Sequence, residues 1–223
     1  MKHLDTNIQQ LLTARESHDP EVRKVSMWGL AAHPCEETFE ALLDGVRDID
    51  AEVREAASDA LAEITTPEVL TVLKEAPRDT VTWTGVARTL AKMATPEAVA
   101  MLGEALHDSS SDVWTTASLA LADVGGAAAP ALEKALRHEA PSVRARAAMA
   151  LGRARICEAI GALITATKDL DASVRMEAVV AMAALHDDRA VPALVEALND
   201  PEECVRQSVP VALGEIASES AIA

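Results

Sequence analysis

The sequence predicts an all-α protein, a right-handed solenoid of about seven helix pairs, on three observations. A pattern of about twelve residues returns along the whole chain, its apolar positions share one helical face, and Ala, Leu and Val dominate a composition with three Trp, one Phe and no Tyr. The copies read "PEVRKVSMWGLA" from Pro20, "AEVREAASDALA" from Ala51, "TVTWTGVARTLA" from Thr80, "SDVWTTASLALA" from Ser111, "PSVRARAAMALG" from Pro141, "ASVRMEAVVAMA" from Ala172 and "EECVRQSVPVALG" from Glu202. Their anchors, Val22, Val53, Thr82, Val113, Val143, Val174 and Val205, lie 31, 29, 31, 30, 31 and 31 residues apart. A period near 30 over a whole chain is the signature of stacked repeats.

Each anchor opens a helix, called B below. Counting from the anchor as position 0, positions 4, 7, 8 and 11 are Ala57, Ala60, Leu61 and Ile64 in the second copy, and Ala117, Ala120, Leu121 and Val124 in the fourth. These offsets fall on one face at 3.6 residues per turn, with small residues that let neighbouring helices approach. A second helix, A, precedes each one: "ETFEALLDGVR", "EAVAMLGEALH", "APALEKALRH", "EAIGALITATK" and "AVPALVEALN" keep the same periodicity, and the first A helix is expected over residues 4 to 14. The turns "DIDAE", "DSSSD" and "DLDAS" offer acidic and short polar caps. Neither helix is long enough to hold alone, so stacking must supply the core. The chain reads as one repeat domain, 1–223, with units near 1–33, 34–65, 66–94, 95–125, 126–155, 156–186 and 187–223.

The formal net charge of −16 disfavours nucleic acid and suits solubility or a basic protein partner. No run of 18 apolar residues is present to span a membrane, and "MKHLDTNIQQLL" lacks the apolar stretch of a secretion signal, so a cytoplasmic location is expected. Cys35, Cys157 and Cys204 are too few and too far apart for a disulfide framework or a thiolate metal site.

The pattern D-x-x-V-R-x-x-A-x-x-A-L following an A helix resembles the HEAT family, and more narrowly is similar to the short HEAT-like repeats of phycobilisome lyases. The resemblance covers essentially the whole chain. It implies a binding scaffold or adaptor without a cofactor, and as the alternative a lyase-like protein that handles a bilin. It also implies that the arginine after the anchor ties turns together along the stack. Arg23, Arg54, Arg144, Arg175 and Arg206 fit that role, with Asp19, Asp50, Asp171 and Glu202 as candidate partners. Iron-dependent hydroxylases of the same architecture place paired His-Glu motifs across several units; this chain has one adjacent pair, His138-Glu139, and neither it nor His3, His18, His33, His107 and His186 repeats a ligand pattern. No metal site, catalytic nucleophile or phosphate loop is expected.

Trp83 and Trp114 replace the arginine in the third and fourth copies. One repeat apart, they are expected either to hold neighbouring repeats together or to anchor a partner. Gly85 and the short 29-residue spacing mark the same region as different. Along the B helices, position 9 is small in every copy and reads as a smooth exposed floor, while position 6 runs Trp28, Asp59, Arg88, Leu119, Met149, Val180, Val211. Its last four members are apolar, with Met176 beside them, and this row is expected to receive a peptide or protein partner or a second copy of the chain. Arg146 and Glu177 share position 3 of adjacent repeats, which predicts a salt bridge. Pro210 is expected to kink the last B helix or open its first turn.

Overall fold

A computed structural model describes residues 6–64 and 66–220; His3 and the first two residues of the expected opening helix lie outside them. Among the described residues there is no strand. The A helices are α1 (Thr6–Ala14), α3 (Glu36–Gly45), α5 (Pro67–Glu75), α7 (Pro96–Ala105), α9 (Ala129–Ala135), α11 (Ile160–Ala166) and α13 (Val191–Ala197). The B helices are α2 (Pro20–Ala31), α4 (Ala51–Glu63), α6 (Thr80–Met93), α8 (Ser111–Val124), α10 (Pro141–Arg153), α12 (Ala172–Leu185) and α14 (Glu203–Ser220). The fold class is therefore the expected one, an all-α solenoid of stacked helix pairs. Single 3₁₀ turns at Gly125–Ala128, Cys157–Ala159 and Asp188–Ala190 lead into α9, α11 and α13.

The B helices start where the acidic turns predict. Asp19, Asp50, Asp79 and Asp171 are N-caps whose carboxylates accept from backbone N–H groups of the first turn, and negative charge there also suits the helix dipole. These aspartates are thus committed to their own helices.

Contacts divide the chain into two compact units, Met1–Met101 and Leu102–Ala223. In the first, α2 packs on α4 and α4 on α6, with α3 against α4. In the second, α8, α10, α12 and α14 pack in succession, with α11 against α12 and α13 against α14. Positions 0, 4, 7 and 8 are buried in α4, α8, α10 and α12 as the periodicity requires. Position 5 joins them, through Met27, Ser58, Ala87, Ser118, Ala148 and Val179. A B helix is covered on one side by its A helix and on the others by neighbouring B helices, so the buried arc is wider than a single stripe.

Two expectations change. Val22, at the first anchor, is 41% exposed, because among the described residues α2 has a B-helix neighbour on one side only. Position 9 is a floor only in part: five copies are half-buried or exposed, but Gly152 and Ala183 are buried, and a Cβ on Gly152 would lie 2.6 Å from the Ala181 Cα, so that small residue admits the backbone of α12. Gly85 has the same use in α6, where the Val46 side chain occupies the space a Cβ would need. The last B helix spans Glu203–Ser220 with Pro210 inside it.

Candidate functional site

Five arginines at position 1 of their helices are held in one way. The Nη1 of Arg23, Arg54, Arg144, Arg175 and Arg206 donates to two successive carbonyls of the preceding turn: Ser17 and His18, Asp48 and Ile49, His138 and Glu139, Asp169 and Leu170, Asp200 and Pro201. This fixes the guanidinium plane and aims its Nε/Nη2 edge along the stack. In three repeats that edge meets an aspartate in the following turn. Arg23 pairs with Asp48, Arg144 with Asp169 and Arg175 with Asp200, and in each pair the Nε···Oδ2 distance is 2.7 Å with a second, parallel bond from Nη2 to Oδ1. Such fork-to-fork pairs are directional and strong for their kind. The same aspartates accept a backbone N–H two residues on. The Arg144 and Arg175 guanidiniums hold the Asp169 and Asp200 carboxyls below their ordinary range.

These partners correct the expected ones. The carboxylates stand five residues before the next anchor, whereas Asp19, Asp50 and Asp171, three before it, are the caps. Glu202, also three before, donates its backbone N–H to Asp200. The signal was present, since Asp48, Asp108, Asp169 and Asp200 recur at that spacing.

The tryptophans sit differently from each other. Trp83 is 2% exposed and so offers no aromatic surface to a partner; the Arg78 guanidinium stands 4.6 Å from its ring centre. Trp114 is half-buried, and the Arg146 guanidinium lies 4.4 Å over its ring. Each replaces an ionic tie by a cation held over an aromatic face. Arg146 also donates to the carbonyls of Leu106 at 2.7 Å and Asp108 at 3.1 Å, so an arginine from the next helix takes over one of the two turn carbonyls that position 1 bonds elsewhere. The predicted Arg146–Glu177 bridge does not form; Glu177 is half-buried, burial pushes its carboxyl up, and Arg153 is the cation acting on it. Beside Trp114, the rings of His107 and His138 lie 4.0 Å apart between centres. His138 occupies the place of the ladder aspartate, and its Nδ1 accepts the Ala140 N–H at 3.1 Å as Asp169 accepts that of Asp171.

Position 6 separates the two units. In the first it carries the exposed Trp28, then Asp59, which pairs with Lys92, and the exposed Arg88. In the second it carries Leu119, Met149, Val180 and Val211 on four successive B helices. Leu119, Val180 and Val211 are 46%, 49% and 63% exposed, and Met149 and Met176 are half-buried beside them. Asp123 and Glu215, both exposed, lie on the same helices.

A family model described as HEAT repeats matches residues 8–85, 84–152 and 160–223. The chain belongs to the HEAT-repeat family. Comparison with curated proteins gives no significant sequence match. Among solved structures, human deoxyhypusine hydroxylase in complex with glycerol is similar over 95% of this chain and 84% of its own, at 26% identity and a TM-score of 0.47. A designed armadillo repeat protein in complex with the peptide (KR)4 is similar over 95% of this chain and 100% of its own, at 19% identity and a TM-score of 0.42. An engineered protein is similar over 96% of this chain and 98% of its own, at 21% identity and a TM-score of 0.42.

Within this HEAT array, no group of three or more His, Cys, Asp or Glu among the described residues is arranged to hold a metal ion. No helix of the described residues is long and apolar enough to cross a membrane. Cys35, Cys157 and Cys204 are free thiols.

Proposed function

We propose that this HEAT array is a non-enzymatic scaffold or adaptor, and that position 6 of α8, α10, α12 and α14 receives an amphipathic helix or extended segment of a partner protein. The supporting observation is that Leu119, Val180 and Val211 stay 46%, 49% and 63% exposed at one register of packed helices. Burying such side chains against a partner stabilises a complex by about 25 cal/mol per Å² removed from water, less the cost of ordering the partner. Met149 and Met176 add adaptable contacts at the same register. Exposed Asp123 and Glu215 and the net charge of −16 favour a partner with basic flanks.

The test is affinity capture with wild-type protein and the Leu119→Ser/Met149→Ser/Val180→Ser variant, each checked for helicity and cooperative melting. A protein retained by the wild type and lost by the folded variant supports the reading. Capture unchanged by the variant, or a variant that no longer folds, overturns it by making these side chains bystanders or core. Light scattering separates a second copy of the chain on the same row. The resemblance to phycobilisome lyases carries the alternative of a bilin held on this row, and an absorbance change when a linear tetrapyrrole is added would favour it.

A further inference from the structure

The second repeat contains half a rung. Arg54 makes both carbonyl bonds of the ladder, to Asp48 at 2.7 Å and Ile49 at 2.9 Å, so its guanidinium is oriented as in Arg23, Arg144 and Arg175. The carboxylate that should face its other edge is missing, because Pro77 stands five residues before the anchor Thr82, where the turns of Asp48, Asp108, Asp169 and Asp200 carry aspartate. The nearby carboxylates are otherwise engaged. Asp48 is paired with Arg23, Asp50 caps α4, and Asp79 accepts from the Thr82 N–H and hydroxyl and lies 3.6 Å from Arg47. No hydrogen bond from Arg54 to a carboxylate of the described residues takes their place.

Arg54 lines a partly open cleft of about 320 Å³. Arg88 is the second cation in the lining, the exposed Val81 gives it an apolar side with the buried Val46 behind it, and no acidic residue contributes to it. The volume suits a small group rather than a whole helix. At physiological ionic strength the chain's distant acidic charge is screened beyond about 8 Å, and the carboxylates close by, Asp48 and Asp79, are each already paired, with Arg23 and with Thr82 and Arg47.

We infer that this cleft binds the C-terminal residue of a peptide, its carboxylate on the free edge of Arg54 and its apolar side chain against Val81. A carboxylate and an apolar side chain on one carbon match the adjacent fork and apolar side. A free amino acid would bring an ammonium group that the lining has no anion to meet, and the open side lets the rest of a peptide leave. The chain itself forms the same arginine–carboxylate pair three times, and Arg54 is already held in the geometry of those pairs, so little ordering is needed to bind. The site lies in the first unit and stands or falls independently of the apolar row on α8 to α14.

Calorimetric titration of the full chain tests it with four probes: acetyl-Gly-Ala-Leu-Val with a free C-terminus, its C-terminal amide, the capped peptide acetyl-Gly-Glu-Gly-amide, and isovalerate. The free acid should bind, and the amide should be weaker by roughly thirtyfold, the loss expected for a charge-assisted pair. Arg54→Gln should lose binding with unchanged helicity. Pro77→Asp should lose it too, by supplying the missing carboxylate from within, and should raise the melting temperature, while Pro77→Ala keeps binding. Equal affinity for acid and amide, for the internal glutamate, or for isovalerate would overturn the assignment to a peptide terminus. Binding that survives Arg54→Gln or Pro77→Asp, or no binding of the free acid, would overturn the site itself.

Discussion

In the second unit the Arg175 guanidinium is held on both edges, by the carbonyls of Asp169 and Leu170 and by the carboxylate of Asp200; in the first, Arg54 has only the carbonyl half of that arrangement. The local cause is one residue, since Pro77 replaces an aspartate in a turn whose cap, Asp79, is otherwise ordinary. The comparison separates two jobs. The carbonyl bonds orient the arginine within its own repeat, and the carboxylate joins that repeat to the next. Where the second job is missing the first persists, which leaves a preorganised cation beside a cleft.

Breaking the complete rung should give the largest effect. Asp200→Ala leaves Arg175, almost fully buried in the pair, without its anion, and should cost about 2–3 kcal/mol, read as a lower urea midpoint at unchanged slope. The same substitution should change the acid response. Asp169 and Asp200 have folded values below the ordinary 3.8, so their contribution is complete well above that value. As pH falls the unfolded chain takes up protons first, and the contribution is lost as pH drops through the folded values. Stability measured from about pH 5 downward should therefore fall less steeply in Asp200→Ala than in the wild type. A parallel slope would show that the depressed carboxyls are not coupled to folding.

Completing the broken rung should have a smaller effect of opposite sign. Pro77→Asp should add about 1 kcal/mol, since the gain of a partly exposed pair is offset by losing the proline's restriction of the unfolded chain. Destabilisation, with Arg54 still free to solvent, would mean that the turn carrying Pro77 cannot present a carboxylate to it.

The helix pairs, their period and most core positions were legible because close packing of Ala, Leu and Val leaves a strict 3.6-residue imprint. The exposed row of Leu119, Val180 and Val211 followed from the same count. Ladder partners were misread because the acidic turns hold two carboxylates two residues apart, as with Asp169 and Asp171, and only geometry distinguishes a cap from a tie. For Trp83 the sequence leaves open a tie between repeats or an exposed anchor, because it replaces a residue whose tip is polar; a ring in that place has no reason to stay wet, and α6 buries it. The Arg146 contact with Trp114 was hidden because it joins residues 32 positions apart whose types suggest no pairing.

Trp114 and His138 look like one exchanged pair, ring for arginine and imidazole for aspartate. Trp114→Arg alone should cost about 1–2 kcal/mol, because the new cation meets His138 and removes the ring from Arg146. His138→Asp in that background should recover most of the loss, and the double-mutant cycle should show favourable coupling of about 1 kcal/mol. Additive effects would mean that the two substitutions are unrelated and that Arg146 alone closes the gap.

The smallest effect belongs to the imidazole pair. Burial first, and then His138, Arg146 and Lys134, hold His107 below its ordinary 6.5, with Glu104 opposing them. A histidine lowered on folding is neutral in both states at high pH and costs nothing there. As pH falls through 6.5 the unfolded chain gains the proton first, so stability declines until the folded value is passed and then levels. The rungs, whose carboxyls titrate far lower, are silent over this range. His107→Gln should therefore remove a shallow slope below pH 6.5 while leaving the acid limb set by Asp169 and Asp200 in place. Loss of both limbs together would tie the histidine pair to the ladder; an unchanged upper limb would place its origin at another histidine.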